Sequence, residues 1–133
     1  MKGFNTNIEK ETLENTNFRK VLYTGKHSQL VLMSLKPLEE IGIEVHTDND
    51  QFFRFEKGEG KVFIDGNEYT VGDGSAIIVP SGAEHNVVNV SETEDLKLYT
   101  ILRPIIKMVW CEQQKQKPKR MVQNLMVKLQ SRI

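Results

Sequence analysis

The chain has 133 residues, with 18 basic and 18 acidic side chains and a formal net charge of zero at pH 7. This length suffices for one domain with a sizeable core, and no apolar run approaches the roughly 20 residues that span a bilayer. The N-terminal residues lack the apolar stretch of a signal peptide, and the single cysteine, Cys111, can form no internal disulfide. We therefore expect a cytoplasmic protein.

The predicted elements, in chain order, are a polar arm followed by short strands. Residues 1–17 are rich in Asn, Thr and Glu and predict an arm or loop. Strands are predicted at 18–23, 29–35, 41–46, 51–56, 61–64, 68–71, 76–79, 85–90 and 96–102. Asp65 and Gly66 predict a hairpin, because Asp-Gly supplies the positive φ that a tight turn needs. Roughly nine short strands with regular turn signals predict a sandwich or a barrel.

The segment 74–89, GSAIIVPSGAEHNVVN, carries the most specific pattern in the chain. Its fixed positions, separated by five, one, two and three residues, are Gly74, Pro80, Gly82, His85 and Asn89. The apolar run before Pro80 predicts a buried strand, and Pro80 with Gly82 predicts a tight turn. His85 then begins the next strand. A turn of this kind can direct the imidazole of His85 into the interior of a barrel.

This spacing resembles the second sequence motif of the cupin superfamily at every fixed position. The first cupin motif has the order Gly, His, His, Glu and Gly, and it is present here in altered form. Aligned on Gly58, its earlier positions fall on Leu38, Glu44, His46 and Gln51. Glu44 and Gln51 differ in ligand type from the family pattern, and Leu38 stands where the motif has a glycine that is not a ligand.

The resemblance implies both a fold and a set of metal ligands. The implied fold is all-β, a double-stranded β-helix or cupin jelly-roll barrel, over residues 18–102. The implied metal ligands are Glu44, His46, Gln51 and His85. Residues 44–60 are further similar to a subgroup of small single-domain bacterial cupins described as mannose-6-phosphate-isomerase-like, which indicates kinship and not activity. Small cupins usually form dimers, so the resemblance also implies a homodimer.

The spacing of these residues is consistent with metal binding independently of the family. Glu44 and His46 are two residues apart, so on a strand they face the same side. Gln51 lies on the next predicted strand, and His85 comes from a distant one. Two imidazoles, one carboxylate and one amide oxygen can hold a divalent ion such as Zn, Mn, Fe or Ni and leave positions open. The alternative is a metal-free barrel in which these side chains bond to each other around water or an organic molecule.

Three aromatic residues are candidates to line the cavity. If Gln51 points inward, Phe53 and Phe55 on the same strand do so too, although core packing is the more common role for such residues. The hydroxyl of Tyr99, on the last strand, could reach the cavity, and a core position is the alternative. His27 lies in a predicted turn and is expected to be exposed.

Two functions are compatible with these residues. The first is a metal-dependent enzyme of the isomerase or oxygenase type, acting on a small polar molecule that is sugar-like or carries a carbonyl, with Glu44 as the candidate catalytic residue. The second is a non-catalytic module that binds a small molecule, with or without metal. The sequence has no Gly-rich phosphate loop and no expected inward cluster of Lys or Arg, since Arg54 and Lys61 are expected to face outward. Phosphosugar isomerisation is therefore weakly supported.

The tail, residues 103–133, differs from the rest of the chain. It carries eight basic residues and one acid, a formal charge of +7, whereas residues 1–102 carry −7. Its apolar residues have helical spacing, so it could form a basic amphipathic helix that binds nucleic acid, a membrane or a partner. The preferred hypothesis is a frameshift product, helical or disordered, because the family likeness stops after Leu102 and a shifted reading frame can encode a family-like segment. Nucleic acid and membranes are therefore disfavoured as partners, and a small-molecule ligand is expected.

Overall fold

The computed structural model describes residues 1–104 and, for the backbone, residues 119–120. Its elements are α1 (Ile8–Glu14), β1 (Arg19–Thr24), β2 (Gln29–Leu35), β3 (Glu39–Glu40), β4 (Glu44–Val45), β5 (Gln51–Lys57), β6 (Glu59–Ile64), β7 (Asn67–Gly72), β8 (Ala76–Val79), β9 (Glu84–Asn89), β10 (Leu96–Leu102) and β11 (Lys119–Arg120). The amphipathic helix and the frameshift hypothesis concern the tail, nearly all of which lies outside the described residues. Within the described part of the chain, no helix is long and apolar enough to cross a membrane.

The strands form two antiparallel sheets. One has the order β1-β2-β10-β5-β8, and the other has the order β11-β3-β9-β6-β7, with β4 also pairing with β9. Strands distant in sequence are neighbours, since β10 lies between β2 and β5. This non-local pairing is the arrangement of a jelly roll. The predicted all-β double-stranded β-helix is therefore confirmed.

Alternation along the strands decides which side chains enter the barrel. In β5, Gln51, Phe53 and Phe55 are buried, whereas Phe52 and Arg54 are partly exposed. This period of two is the geometry of a pleated strand. The core shared by the two sheets contains Val31, Met33, Leu35, Phe53, Phe55, Val62, Ile64, Val71, Val79, Ala83, Val87, Leu96, Leu98 and Leu102.

The N-terminal segment, predicted as a polar arm or loop, contains the short helix α1. The side chain of Asn7 caps its first turn by accepting a hydrogen bond from the backbone N–H of Lys10, at 3.1 Å. Thr12 is buried, and the buried Lys97 ammonium donates to the carbonyl of Asn15. A helix of seven residues is marginal by itself, so its stability depends on packing that a polar composition does not reveal.

Asn89, the last fixed position of the second motif, connects three loops. It is fully buried, and its side-chain N–H groups lie 2.8–3.0 Å from the carbonyls of Leu35, Lys36 and Glu94. Its amide oxygen accepts from the backbone N–H of Ser91 at 2.9 Å. An amide satisfies both kinds of partner at once, which a carboxylate or an apolar side chain could not do.

Replacing Asn89 with alanine should lower the free energy of unfolding by about 2–4 kcal/mol, because buried carbonyls lose their donor. Urea unfolding followed by circular dichroism measures the change. The control is Asn67→Ala, which removes one bond to the carbonyl of Ile64 from an exposed position. Its cost should be below about 1 kcal/mol. Equal losses in the two variants would contradict the bridging role of Asn89.

The first-motif position that the family reserves for glycine has a left-handed backbone in this chain. Leu38 has φ of 63°, and its N–H donates to the carbonyl of Ser91 at 3.1 Å. A side chain in this region costs roughly 1–2 kcal/mol, which glycine avoids. The turn geometry is therefore retained although the residue type has changed.

Candidate metal centre

Cross-strand pairing brings the two sequence motifs together. Glu44 of β4 lies directly opposite His85 of β9 in the antiparallel ladder. Directly opposite residues of such a pair have side chains on the same face of the sheet. His46, two residues after Glu44, also directs its ring toward this point, and its ring centre lies 5.6 Å from that of His85.

The predicted turn at Pro80–Gly82 fixes the segment that carries His46. The N–H of Gly82, which has φ of 88°, donates to the carbonyl of His46 at 2.7 Å. The Ser81 hydroxyl donates to the carbonyl of Thr47, and the Ser81 N–H donates to the Asp50 carboxylate, both at 2.8 Å. The second motif therefore positions a residue of the first motif as well as its own histidine.

The donor atoms of Glu44, His46 and His85 have the spacing of a cluster that could hold a metal ion. All three lie within 4.8 Å of one another. Oε1 of Glu44 is 3.8 Å from Nε2 of His46 and 3.8 Å from Nε2 of His85, which is too long for a hydrogen bond. Donors that share an ion at about 2.0–2.2 Å lie roughly 3–3.5 Å apart, so each of the two Glu44–histidine distances would have to shorten only slightly.

Three buried polar atoms of the candidate ligands have no hydrogen-bond partner among the residues that the structure describes. They are Nε2 of His46, Nε2 of His85 and Oε1 of Gln51. Such groups are costly to bury unsatisfied, and a shared cation would satisfy all three. Nδ1 of His85 faces the carbonyl of Ala83 at 3.4 Å, which leaves Nε2 as the nitrogen available for an ion. The residues therefore fit a divalent metal.

Gln51 is oriented by a contact that the sequence did not reveal. Its amide nitrogen donates to the hydroxyl of Thr100 on β10 at 2.9 Å. The amide oxygen is then the atom left to face the cavity, where an ion could accept its lone pair. Gln51 could thus offer a neutral oxygen to an ion in this cavity.

The electrostatics of the site favour the protonation states that bind metal. Burial opposes ionisation of Glu44, but His46, Arg19 and His85 together hold the pKa of its carboxyl below the usual value. Burial lowers the pKa of His85, although the Ala83 carbonyl and Glu44 oppose the shift. An ionised carboxylate and a neutral imidazole are the forms that coordinate a metal.

Arg19 is a site residue that the sequence analysis missed. It is 7% exposed, and its guanidinium Nη2 lies 3.7 Å from Oε2 of Glu44. It pairs across the ladder with Met33, which lines the same cavity. The sequence held one indication that Arg19 faces inward. Arg19 lies two residues before Val21, which packs against the core, so both side chains lie on one face of β1. Arg19 is thus an inward-facing basic residue, a type that the sequence did not predict at this cavity.

A cavity of about 250 Å³ opens beside the donor cluster. Its lining residues are Arg19, Val31, Met33, Ile41, Glu44, Val45, His46, Gln51, Phe53, Thr100 and Leu102. His85, which is 2% exposed, lies behind this lining with its ring 5.9 Å from that of Phe53. The cavity thus combines a polar end with apolar walls.

The three aromatic candidates have different positions. Phe53 lines the cavity, whereas Phe55 is fully buried in the core, 6.4 Å from the Phe53 ring, and is not among the lining residues. The expectation that the Tyr99 hydroxyl reaches this cavity is wrong. Thr100 faces inward, so its neighbour Tyr99 faces outward, where its ring lies 6.3 Å from that of Phe52.

Comparison with known proteins decides the family. The family model described as "Cupin domain" matches residues 31–102, which include both motifs from Leu38 to Asn89. The chain belongs to the cupin family. This cupin is 46% identical over 101 residues to protein L612 of Acanthamoeba polyphaga mimivirus. The aligned region covers 74% of this chain and 63% of L612.

Two further cupin relatives are similar in sequence or structure. YrkC of Bacillus subtilis (strain 168) is 46% identical over 109 residues, covering 77% of this chain and 58% of YrkC. The cupin therefore spans about three fifths of these curated relatives. The crystal structure of BH2720 from Bacillus halodurans is 42% identical, with a TM-score of 0.74, and the match covers 78% of this chain and 83% of that one.

Proposed function

We propose that this cupin holds a divalent first-row metal ion through Glu44, His46 and His85, with the amide oxygen of Gln51 as a fourth ligand. The observation that carries the proposal is the convergence of three donors within 4.8 Å, two of them buried imidazole nitrogens with no hydrogen-bond partner in the described part of the chain. Such an ion would polarise a carbonyl or hydroxyl oxygen of a small molecule in the adjacent cavity. Zn, Mn, Fe and Ni are all compatible with these ligand types.

The charged residues that line the cavity support binding of an oxygen-containing ligand to the metal ion. Glu44 is the one acidic residue among the described lining residues, so a divalent ion would keep net positive character. The same carboxylate is the candidate to accept a proton from a ligand, because the nitrogens of His46 and His85 would be bound to the metal ion. Arg19 holds the second oxygen of Glu44 and so favours its ionised form.

A non-catalytic binding module is the second candidate. The described lining residues include no lysine, tyrosine, cysteine or aspartate that could serve as a further acid or base. The mannose-6-phosphate-isomerase-like kinship receives little support from this lining, since Arg19 is its one fixed cation, whereas a phosphate ester carries nearly two negative charges. The implied homodimer remains a prediction.

Elemental analysis tests whether the protein binds a metal ion. Protein purified without a chelating resin should contain about one divalent ion per chain. Reconstituted protein with Fe, Mn, Ni or Zn is then tested for turnover against small sugars, carbonyl compounds and oxygenase substrates. Turnover of any of these compounds would identify an enzyme. Tight binding of a compound without turnover would identify a non-catalytic binding module. Metal at background levels after reconstitution would contradict the proposal.

The variant Gln51→Glu should retain metal more tightly, on the order of tenfold, because it adds a negative charge beside the ion. The Thr100 hydroxyl can reverse its role and donate to the new carboxylate. Competition with a fluorescent chelator measures the change. Unchanged or weaker retention would show that residue 51 does not contact the metal.

The chain offers a matched control in Gln29. This residue is also buried, and its amide nitrogen donates to the hydroxyl of Thr24 at 2.9 Å, but it does not line the cavity. The variant Gln29→Glu introduces the same charge into a similar environment. It should leave metal retention unchanged.

A further inference from the structure

We propose that Arg19 binds the carboxylate of a small 2-oxo or 2-hydroxy monocarboxylic acid whose short apolar tail lies against the cavity wall. The inference rests on the proposed function, because it names the substrate class of the same site. Its basis is the placement of one buried guanidinium, an ion-binding cluster and an apolar wall around one cavity.

The guanidinium of Arg19 is the group that would bind the ligand carboxylate. Arg19 is 7% exposed and lines the cavity, and its carbon centre lies 5.7 Å from the centre of the Phe18 ring. Burying a charged side chain is expensive unless it is paired, and one partner here is the carboxylate of Glu44, at 3.7 Å. The planar guanidinium fork matches a carboxylate, to which it can donate two parallel hydrogen bonds.

The guanidinium of Arg19 lies close to the donor cluster. Glu44 connects the two groups, with Oε1 at 3.8 Å from both histidine nitrogens and Oε2 at 3.7 Å from the guanidinium. The arginine and the donor cluster are thus separated by the width of one carboxylate. A ligand that has an oxygen on the carbon next to its carboxylate could present one oxygen to each.

The size and polarity of the cavity favour a small ligand with an alkyl tail. The cavity of about 250 Å³ has the volume of roughly eight water molecules, below the range of drug-sized pockets. Its remaining wall is formed largely by Val31, Met33 and Leu102. A sugar would place hydroxyls against this wall without partners, whereas a short alkyl chain would not.

The charge of the lining residues favours a ligand with a single negative charge. Among the described lining residues, Arg19 is the one arginine or lysine, and it already faces the carboxylate of Glu44. One cation of this kind suits a monoanion better than a dianion. A monocarboxylate therefore fits this cavity better than a phosphorylated sugar.

The test measures binding to metal-free protein by calorimetry, with 2-oxobutanoate, its neutral methyl ester and mannose 6-phosphate. The acid should bind at least about tenfold more tightly than either of the others, since a hydrogen-bonded charged pair contributes about 1.5–3 kcal/mol. Arg19→Gln should weaken acid binding by about 10- to 100-fold and leave ester binding unchanged. Arg19→Lys should be intermediate, because it keeps the charge without the fork.

The control is Arg54→Gln, which removes an ion-paired arginine, 3.5 Å from Glu56, that does not line the cavity. Acid binding should be unchanged there. Equal affinity of the wild-type protein for acid and ester, tighter binding of mannose 6-phosphate, or unaltered acid binding by Arg19→Gln would overturn the inference. The acid–ester comparison needs no variant, so it decides the matter even if Arg19→Gln does not fold.

Metal content, measured on the same samples before chelation, separates the two proposals. Wild-type protein with metal and no preference for the acid would refute the role of Arg19 and leave the metal centre standing. Protein without metal that still prefers the acid would refute the metal centre alone.

Discussion

Alanine at position 46 or 85 should reduce the metal content of the purified protein to background. Each variant removes one of two imidazole donors, and the remaining carboxylate and amide form a weak site. Loss of groups that merely support a ligand already costs 10–100-fold in affinity, so loss of a ligand should exceed about 100-fold. Elemental analysis and chelator competition measure content and affinity.

The third histidine of the chain provides the matched control. His27 is exposed and outside the donor cluster, so His27→Ala should retain wild-type metal content. The fold should survive in His46→Ala, because that side chain is only partly buried, and circular dichroism checks this. Wild-type metal content in both His46→Ala and His85→Ala would eliminate the proposed centre.

Alanine at Gly58, the last position of the first motif, should destabilise the fold by about 3–5 kcal/mol. Its φ of 102° is unfavourable for any residue with a side chain, and an added Cβ would lie 2.5 Å from the carbonyl oxygen of Asp95. That neighbour is backbone and cannot rotate away, so the strand that carries Leu96 would have to shift. Urea unfolding measures the loss.

The variant Gly74→Ala is the control that separates the cost of the backbone conformation from the cost of the steric clash. Gly74 has a similar φ of 87°, but an added Cβ would meet no atom of the described residues within 4 Å. Gly74→Ala should therefore cost only about 1–2 kcal/mol, the price of the backbone conformation. If the two variants lose the same stability, close contact with Asp95 is not what requires glycine at position 58.

Much of the site could be predicted because its residues lie at fixed spacings. Glu44 and His46 share a face through strand alternation, and the Pro80–Gly82 turn precedes His85. These are local relations, set by the pleat and by turn geometry. The same alternation correctly placed Gln51 and Phe53 inside the barrel.

The remaining features depend on contacts between distant segments. Tyr99 was misplaced because the register of β10, which turns Thr100 inward, is set by pairing with β2 and β5. The helix α1 was missed because its polar residues gain stability only when packed against the sheet.

The sequence by itself predicted an all-β fold of short strands, since strand periodicity and turn signals act over a few residues. Its resemblance to the cupin family implied the jelly roll and the candidate ligands Glu44, His46, Gln51 and His85. Only the tertiary structure decided that Arg19 enters the cavity and that Thr100 orients Gln51. Those contacts join residues 25 and 49 positions apart. Their formation depends on sheet order and register, which are properties of the whole barrel.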